Sequence, residues 1–329
     1  MKSRASVEVP AAINGPSMGQ SLLSTIGNTP LLSLACIERD VPGVRLFAKA
    51  EWFNPGGAVK DRAAASIIAD AQAQGLISAG KVLLDASSGN TGIAYAMIGA
   101  ANGYPVTLCI PKNANPQVLG ILRSYGAEII GTDPLQGSDG AIRQARRLAQ
   151  EHPETFVYLD QYNNPANWRA HYETTGVEVW QQTRGAVTHF IAGIGTSGTL
   201  TGAGRRLKAF NPSVRVIAVQ PDAPFHGLEG MKHLDSAIIP GIYDPSLPND
   251  TAFVSTEEAY QTLERLADQE GILAGPSSGA ALVASLRTAK ELAGSHASAV
   301  IVMVFPDSGA RYAAEGLFGR AARSSDTHR

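Results

Sequence analysis

Apolar residues along this chain are grouped in short runs that hardly alternate with polar ones. Three clear runs are "KVLLDA" at 81–86, "PVTLCIP" at 105–111 and "AVIVMVFP" at 299–306. A strand with so few polar positions is covered on both faces, which is typical of parallel sheets. Gly and Pro residues end the runs, and the intervening segments have the length and composition of helices. The pattern therefore predicts an α/β fold with mainly parallel sheets.

Predicted strands and helices alternate along most of the chain. The predicted strands are 45–51, 81–86, 105–111, 127–132, 155–159, 189–195, 214–221 and 299–306. The predicted helices are 61–74, 91–101, 116–125, 138–151, 169–183, 199–210, 256–270 and 278–293. Residues 222–253 form the longest stretch without periodicity, and we expect a functional loop there.

The length and charge of the chain limit what it can do. With 329 residues it can bury a large core, and two lobes or domains are expected. A formal net charge of −2 argues against a broad surface for nucleic acid or for a membrane. No apolar run reaches the roughly 18 residues that a transmembrane helix needs. Residues 1–18 lack the apolar core of a signal peptide and are predicted to form a mobile tail.

Cys36 and Cys109 are the two cysteines of the chain, and they lie far apart in apolar surroundings. Their spacing fits neither a disulfide framework nor a zinc site, so both are expected to be structural and no metal is expected. A chain whose cysteines are not arranged for disulfides is typical of a reducing compartment, and we expect it in the cytoplasm.

Three strand ends are expected to carry loops rich in glycine and small polar residues. In open α/β sheets, ligands bind at the carboxyl ends of the strands. The first loop, "SSGNTG" at 87–92, would place hydroxyls, an amide and backbone N–H groups at a helix N-terminus. Such a site suits a carboxylate, although simple helix capping by Ser or Asn would give the same pattern.

The second loop, "GIGTSGTLTG" at 193–202, offers glycines and hydroxyls at a helix N-terminus, which suits a phosphate. Residues 193–198 also match the dinucleotide pattern G-x-G-x-x-G, which is weak evidence by itself. The next strand ends at 219–221 without the acidic residue that a dinucleotide ribose requires, and the loop lacks the lysine of a Walker-type P-loop. A small phosphorylated cofactor therefore fits better than a dinucleotide.

The third loop, "GPSSGAA" at 275–281, contains Ser277, which would either cap the following helix or face a ligand. Lys60, in "NPGGAVKDR", stands where a Gly-rich turn becomes a helix. A helix N-terminus and partial burial both lower the pKa of an amine and favour its neutral, nucleophilic form. Together with the phosphate and carboxylate loops, Lys60 indicates a Schiff base with pyridoxal phosphate (PLP). The alternative is an ordinary solvated lysine.

Seven segments, in this order, resemble those of the fold-type II PLP enzymes, and specifically the cysteine synthases (O-acetylserine sulfhydrylases). They are "TIGNTPLLSL", "NPGGAVKDR", "SSGNTG", "DQYNNPANWRAHYETTG", "GIGTSGTLTG", "GPSSGAA" and "PDSGARY". The resemblance covers roughly residues 21–318, and "NNPANWRAHYETTG" and "PGIYDPSL" are most similar to the cysteine synthase B branch.

This resemblance implies two three-layer α/β lobes with mainly parallel sheets, like those of the tryptophan synthase β subunit, and a homodimer. The larger, PLP-binding domain would comprise 19–54 and 165–320. The smaller, mobile domain would comprise 55–164 and carry the loop for the substrate carboxylate, with tails at 1–18 and 321–329.

The resemblance also implies roles for individual residues. Lys60 would hold the cofactor covalently and move the substrate's α-proton, Asn90 would hydrogen-bond the 3′ oxygen of PLP, and Ser277 would face the pyridine nitrogen. The phosphate would be held by Gly195, Thr196, Ser197, Gly198 and Thr199. The substrate α-carboxylate would be bound by Ser87, Ser88, Gly89, Thr91 and Gln161. Many relatives have Gly at the position of Ser197 and Thr at that of Ser87.

The implied activity is that of a transferase, a PLP-dependent β-replacement that makes L-cysteine from small molecules. A Ser partner is too weak an acid to keep the pyridine ring protonated, which favours loss of a β-leaving group and addition of sulfur to the resulting aminoacrylate. The leaving group (acetate or phosphate) and the sulfur donor (sulfide or thiosulfate) stay open. Alternatives are a serine or threonine ammonia-lyase and a cystathionine β-synthase-type replacement. A dinucleotide-binding dehydrogenase and a non-catalytic binding protein have less support.

Lys232 lies within the aperiodic segment, in "FHGLEGMKHL" at 225–234. In cysteine synthase B-like relatives an arginine often occupies this region near the entrance of the site. The resemblance thus implies that Lys232 contacts a substrate anion as a point charge, and the alternative is a solvated loop lysine.

Overall fold

The computed structural model describes residues 20–87, 89–295 and 297–315. Within these ranges the strands are β1 (Leu31–Ser33), β2 (Val44–Ala50), β3 (Val82–Ala86), β4 (Val106–Pro111), β5 (Glu128–Thr132), β6 (Phe156–Tyr158), β7 (His189–Gly193), β8 (Arg215–Pro221), β9 (Asp250–Val254) and β10 (Ala299–Phe305). The helices are α1 (Lys60–Ala73), α2 (Asn90–Asn102), α3 (Pro116–Ser124), α4 (Gly137–Glu151), α5 (Pro165–Glu173), α6 (Thr175–Gln182), α7 (Gly198–Phe210), α8 (Thr256–Glu270) and α9 (Pro276–Gly294). The predicted tails at 1–18 and 321–329 lie outside the described residues.

The strands form two sheets. The larger has the order β1-β2-β10-β7-β8-β9, and its strands are parallel except for β1, which pairs antiparallel with β2. The smaller has the order β5-β4-β3-β6 and is parallel throughout. This confirms the prediction of two lobes with mainly parallel sheets. All four strands of the smaller sheet lie within 55–164, although the domain boundaries themselves stay a prediction.

Both sheets are covered on both faces, as the continuous apolar runs predict. Along β10, Ile301 and Met303 belong to the core on one face of the larger sheet, whereas Val302 and Val304 belong to the core on the other. The smaller sheet repeats this arrangement, and Cys109 is buried in one of its two cores. Because side chains alternate between faces, a strand with two covered faces is apolar at most of its positions.

Three segments differ from the sequence prediction. The helix predicted at 169–183 is two helices, α5 and α6, separated at Thr174, whose backbone angles (φ −119°, ψ −74°) depart from the ideal helical values. α5 also begins earlier, at Pro165, because the Asn164 side chain caps it by accepting the N–H of Ala166 at 3.0 Å. The strands β1 and β9 were not predicted, since both lie at sheet edges and carry partly exposed residues instead of a continuous apolar run.

No helix in the described ranges is long and apolar enough to cross a membrane. The same part of the chain contains no cluster of three or more His, Cys, Asp or Glu side chains arranged to hold a metal ion.

Candidate active site

A cleft opens where loops from both lobes meet. Its lining residues are Lys60, Ser87, Gly89, Asn90, Thr91, Asn115, Val118, Ser138, Gln161, Tyr162, Gly195, Thr196, Glu229, Gly230, Met231, Lys232, Arg311 and Tyr312. An adjoining cavity shares Lys60 and Asn90 with the cleft and extends to Thr199, Ser277 and Asp307. The structure thus brings the predicted cofactor and substrate residues from six separate segments to one place.

Lys60 is the first residue of α1, and its half-buried side chain lines both the cleft and the adjoining cavity. Burial lowers the pKa of Lys60 below its ordinary value, and the carboxylate of Asp307 opposes part of that effect. The lowered pKa makes the neutral, nucleophilic amine more accessible than it is in a solvated lysine.

The loop after β7 has the features of a phosphate site. Gly195 is required there, because a Cβ atom would collide with the carbonyl oxygen of Gly230. α7 begins at Gly198, so the first N–H groups of the helix have no intrahelical acceptor and can bind an anion. The buried hydroxyl of Ser197 has no hydrogen-bond partner, and Thr199 lines the cavity.

Two side chains of α5 contact this loop. Asn167 donates from Nδ2 to the carbonyl oxygen of Gln161 at 2.7 Å and to Oγ1 of Thr196 at 3.1 Å. His171 lies with Nε2 3.3 Å from Oγ1 of Thr199. Burial lowers the pKa of His171 to about 3, so the ring is neutral and adds no charge beside the phosphate site. The sequence analysis assigned no role to either residue.

Ser277 is the second residue of α9 and lines the cavity with 8% of its surface exposed. The N-cap residue of α9 is Gly275, with Pro276 in the first turn, so the capping alternative for Ser277 is wrong. The third loop was predicted to follow a strand, and this prediction is wrong. It follows α8 and an isolated bridge between Ala274 and Ser308.

The loop after β3 is largely satisfied by its own hydrogen bonds. Oγ of Ser87 accepts the N–H groups of Gly92 at 2.8 Å and Gly89 at 3.3 Å, so this hydroxyl bonds the start of α2, although the N-cap residue itself is Gly89. Thr91 donates to Oε1 of Gln161 at 2.8 Å. Gly92 is thus already bonded, and the backbone N–H groups of Asn90 and Thr91, the first two residues of α2, can face a carboxylate. Ser88 lies outside the described residues.

Lys232 lines the cleft but is 6% exposed, so it is not a solvated lysine. Its Nζ lies 2.8 Å from Oδ1 of Asp139, and 5.1 Å from the ring centre of Tyr162. Oδ2 of Asp139 accepts the backbone N–H of Ile238 at 2.8 Å. Asp139 and Tyr162 come from the smaller lobe, whereas Lys232 and Ile238 belong to the aperiodic segment, so the pair connects the two lobes across the cleft.

Three residues of "PDSGARY" reach the site although the sequence analysis gave them no role. Asp307 is 2% exposed, and its Oδ2 accepts from Nδ2 of Asn90 and from the hydroxyl of Tyr312, each at 2.7 Å. Arg311 donates to Oδ1 of Asn90. These residues follow β10, the central strand of the larger sheet, so the rule that ligands bind at strand carboxyl ends would have found them.

The residues present fit a PLP group. The half-buried amine of Lys60, the amide of Asn90, the first turn of α7 at Thr199 and the hydroxyl of Ser277 line one cavity. The adjoining cleft then leaves room for a small amino acid beside the amine.

Comparison with known proteins agrees with this description. The model of the family described as pyridoxal-phosphate dependent enzyme matches residues 22–307. A cysteine synthase of Aquifex aeolicus is 53% identical over 91% of this chain and 92% of the relative, and cysteine synthase B of Escherichia coli is 41% identical over 91% and 96%. A solved structure of a cysteine synthase (OASS) from Entamoeba histolytica matches with a TM-score of 0.86 and 31% identity, covering 98% of this chain and 96% of that one. The chain therefore belongs to the cysteine synthase family of fold-type II pyridoxal-phosphate dependent enzymes.

Proposed function

We propose that this protein is a PLP-dependent cysteine synthase, which makes L-cysteine from an activated serine and sulfide. The observation that carries this function is the position of Lys60 between a phosphate site and a carboxylate site, with Ser277 in the same cavity. When bound, PLP supplies an electrophilic carbon for the amine and an electron sink for loss of the substrate's α-proton.

Lys60 would hold the cofactor covalently and then move the proton at the substrate's α-carbon. Its lowered pKa supports this role, because a lower pKa increases the share of the neutral amine, the form that accepts a proton. The position of Lys60 at the boundary of the two cavities lets one nitrogen atom serve both the cofactor and the substrate.

Asn90 would donate to the 3′ oxygen of PLP, and the phosphate would be bound by the loop of Gly195, Thr196, Ser197, Gly198 and Thr199. Ser277 would contact the pyridine nitrogen through its hydroxyl. A hydroxyl is a weaker acid than a carboxyl group, so the ring stays a modest electron sink. This favours expulsion of a β-leaving group over reactions that need a long-lived carbanion.

The substrate α-carboxylate would lie at the N-terminus of α2, near Ser87, Ser88, Gly89, Thr91 and Gln161. Gln161 donates from Nε2 to the carbonyl oxygen of Ala86 at 2.7 Å, which fixes its side chain against the loop. A carboxylate bound here would connect the loop to the rest of the cleft and exclude water from the reacting carbon.

Lys232 would attract the anionic group of O-phosphoserine or thiosulfate. Its pairing with Asp139 means that an incoming anion competes with a carboxylate for the same ammonium group. We therefore propose O-acetylserine with sulfide as the preferred pair, with anionic substrates used less well.

The test is to supply O-acetylserine and O-phosphoserine, each with sulfide or thiosulfate, and to quantify cysteine and pyruvate. Cysteine is expected as the main product. Pyruvate as the main product in the presence of sulfide would instead identify an ammonia-lyase that releases its intermediate.

The assembly and location are proposed from the same resemblance. We propose a homodimer, which light scattering coupled to size-exclusion chromatography tests. We also propose a cytoplasmic location, supported by the two free cysteines, Cys36 and Cys109. Cell fractionation tests the location.

A further inference from the structure

Asn90 carries an amide whose two ends face opposite charges. Its Nδ2 donates to Oδ2 of Asp307 at 2.7 Å, and its Oδ1 accepts from Nη1 of Arg311. A flipped amide would set its N–H groups against the guanidinium and its oxygen against the carboxylate, and both contacts would be repulsive. The two neighbours therefore permit one orientation of the amide.

In that orientation the amide has one N–H group left. Nδ2 carries two hydrogens, and Asp307 accepts one of them. Asn90 lines both the cleft and the adjoining cavity, so the second N–H is available to a group bound there. A flipped amide would offer that group an oxygen, which repels a phenolate oxygen.

Asp307 is itself held rigidly. Its Oδ2 also accepts the hydroxyl of Tyr312 at 2.7 Å, and its backbone oxygen accepts the N–H of Gly275 at 3.2 Å. A Cβ atom at position 275 would collide with Oδ1 of Asp307, so the glycine there makes room for this carboxyl group. Ala58, two residues before Lys60, forms an isolated bridge with Asp307.

Arg311 is held by the turn that precedes α1. Its Nη2 donates to the carbonyl oxygen of Gly56, and a Cβ atom at Gly57 would lie 2.6 Å from the same nitrogen. The two glycines of "NPGGAVKDR" therefore provide the surface on which the guanidinium lies. Asp307 and Arg311, the two residues that contact the Asn90 amide, are thus both held by contacts with backbone atoms. Such support is required if a single hydrogen bond is to be positioned.

The arrangement does not depend on the charge state of Asp307. Burial raises the pKa of this carboxyl group, opposed by its hydrogen bonds from Tyr312 and Asn90 and by the charges of Arg311 and Lys60. Its Oδ1 has no hydrogen-bond partner, so a proton taken up there would leave Oδ2 free to accept from Asn90.

We propose that Asp307 and Arg311 are positioning residues that fix the amide of Asn90 so that its free N–H points at the 3′ oxygen of PLP. The inference rests on the proposed role of Asn90. It gives a function to "PDSGARY", a segment to which the sequence analysis assigned none.

The test is a double-mutant cycle on the PLP-loaded protein with Asn90→Ala, Asp307→Ala and the double variant. We measure the visible absorbance of the bound cofactor across pH, the loss of PLP during gel filtration, and kcat with O-acetylserine and sulfide. Each single variant is expected to lower kcat by about tenfold to a hundredfold, as for loss of one hydrogen bond to a charged group. The double variant should be no worse than Asn90→Ala alone, because Asp307 acts through Asn90.

Three further variants keep the result interpretable if Asp307→Ala folds poorly. Asp307→Asn retains an acceptor oxygen and should recover most of the loss, whereas Arg311→Met should resemble Asp307→Ala. Ser308→Ala is the matched control, since its hydroxyl accepts the N–H of Ala310 at 3.2 Å, and it should leave all three readouts unchanged.

The outcomes separate this inference from the proposed function. Additive effects of Asn90→Ala and Asp307→Ala would show that Asp307 acts independently, and would overturn the inference while leaving the role of Asn90 intact. An Asn90→Ala variant with unchanged spectrum, PLP retention and kcat would overturn the role of Asn90 itself, and the inference with it.

Discussion

Lys232 and Asp139 permit a test in which two substitutions should change the same rate in opposite directions. Nζ of Lys232 lies 2.8 Å from the carboxylate of Asp139. If the ammonium group attracts an anionic substrate, Lys232→Ala should lower kcat/KM for O-phosphoserine by roughly tenfold or more, about 1.4 kcal/mol. Asp139→Asn removes the competing carboxylate, and should raise the same kcat/KM by a similar factor.

The size of the effect can be bounded from the attraction between the Lys232 ammonium group and a substrate anion. For unit charges about 5 Å apart, Coulomb's law gives about 3 kcal/mol at an effective dielectric constant of about 20, and about 1 kcal/mol in bulk water. The side chains of Lys232 and Asp139 are 6% and 21% exposed, so water screens the pair only in part. A tenfold change lies near the lower of these limits and is therefore a conservative expectation.

The assay measures initial rates of wild type and both variants at low and high salt. Each amino-acid substrate, O-acetylserine or O-phosphoserine, is combined with each sulfur donor, sulfide or thiosulfate. Asp139→Asn keeps an oxygen that can accept the N–H of Ile238, which the carboxylate now accepts at 2.8 Å, so the loop stays anchored. O-acetylserine with sulfide should change little, and added salt should shrink the differences. Changes of the same sign in both variants, or equal kinetics across all substrate pairs, would refute the reasoning.

Four further results are expected. Lys60→Ala should abolish cysteine formation together with the visible absorbance of covalently bound PLP. Retained turnover would contradict the proposed role of Lys60. Ser277→Asp should protonate the ring and change the spectrum and products, and wild-type behaviour would contradict our account of the ring nitrogen. Ser197→Gly should raise the melting temperature by about 1–3 °C with activity retained. The reason is that Ser197 has a left-handed backbone (φ 70°), which costs about 1 kcal/mol for a residue with a Cβ atom. An unchanged melting temperature in calorimetry would argue against backbone strain at this position. Burial alone would raise the pKa of Glu178, but Arg62 and Lys49 hold this pKa at about 2. The carboxylate should therefore stabilise the fold by about 3 kcal/mol at pH values above its ordinary pKa of 4.5, and this stabilisation should be lost as the pH falls towards 2. Urea unfolding across this range should show a smaller loss of stability with acid in Glu178→Gln than in wild type.

The elements and the main loops could be predicted because their signals are local. A continuous apolar run identifies β10, and the change from a Gly-rich turn to an Ala-rich helix identifies the start of α1 at Lys60. The edge strands β1 and β9 were missed because a half-exposed edge needs no continuous run of apolar residues. Local patterns thus identify the buried parts of the fold better than its edges.

Pairings between distant residues could not be predicted in the same way. Asp139 and Lys232 are far apart in sequence, and nothing near either residue specifies the other. The same holds for Asn90 and Asp307, which are joined only when the two lobes come together. Residues expected to touch the ligand could therefore be predicted from local patterns, whereas the residues that hold them in place could not.

The contacts around Lys60 also bear on how the lobes can move. The start of α1 is bonded to the larger lobe, since Val59, the N-cap residue, donates its N–H to the carbonyl oxygen of Pro306 at 2.8 Å. Within the same turn, the buried guanidinium of Arg62 pairs with Glu51 at 2.7 Å and Glu178 at 2.6 Å.

Breaking these buried ion pairs would cost several kcal/mol, more than the binding of a small carboxylate could readily supply. The predicted boundary at residue 55 places α1 in the mobile domain, but its first turn would have to stay with the larger lobe during closure. We therefore expect any hinge on this side to lie after Arg62. Closure over the substrate would then move the loop at 87–92 towards Lys60 while the amine itself stays fixed.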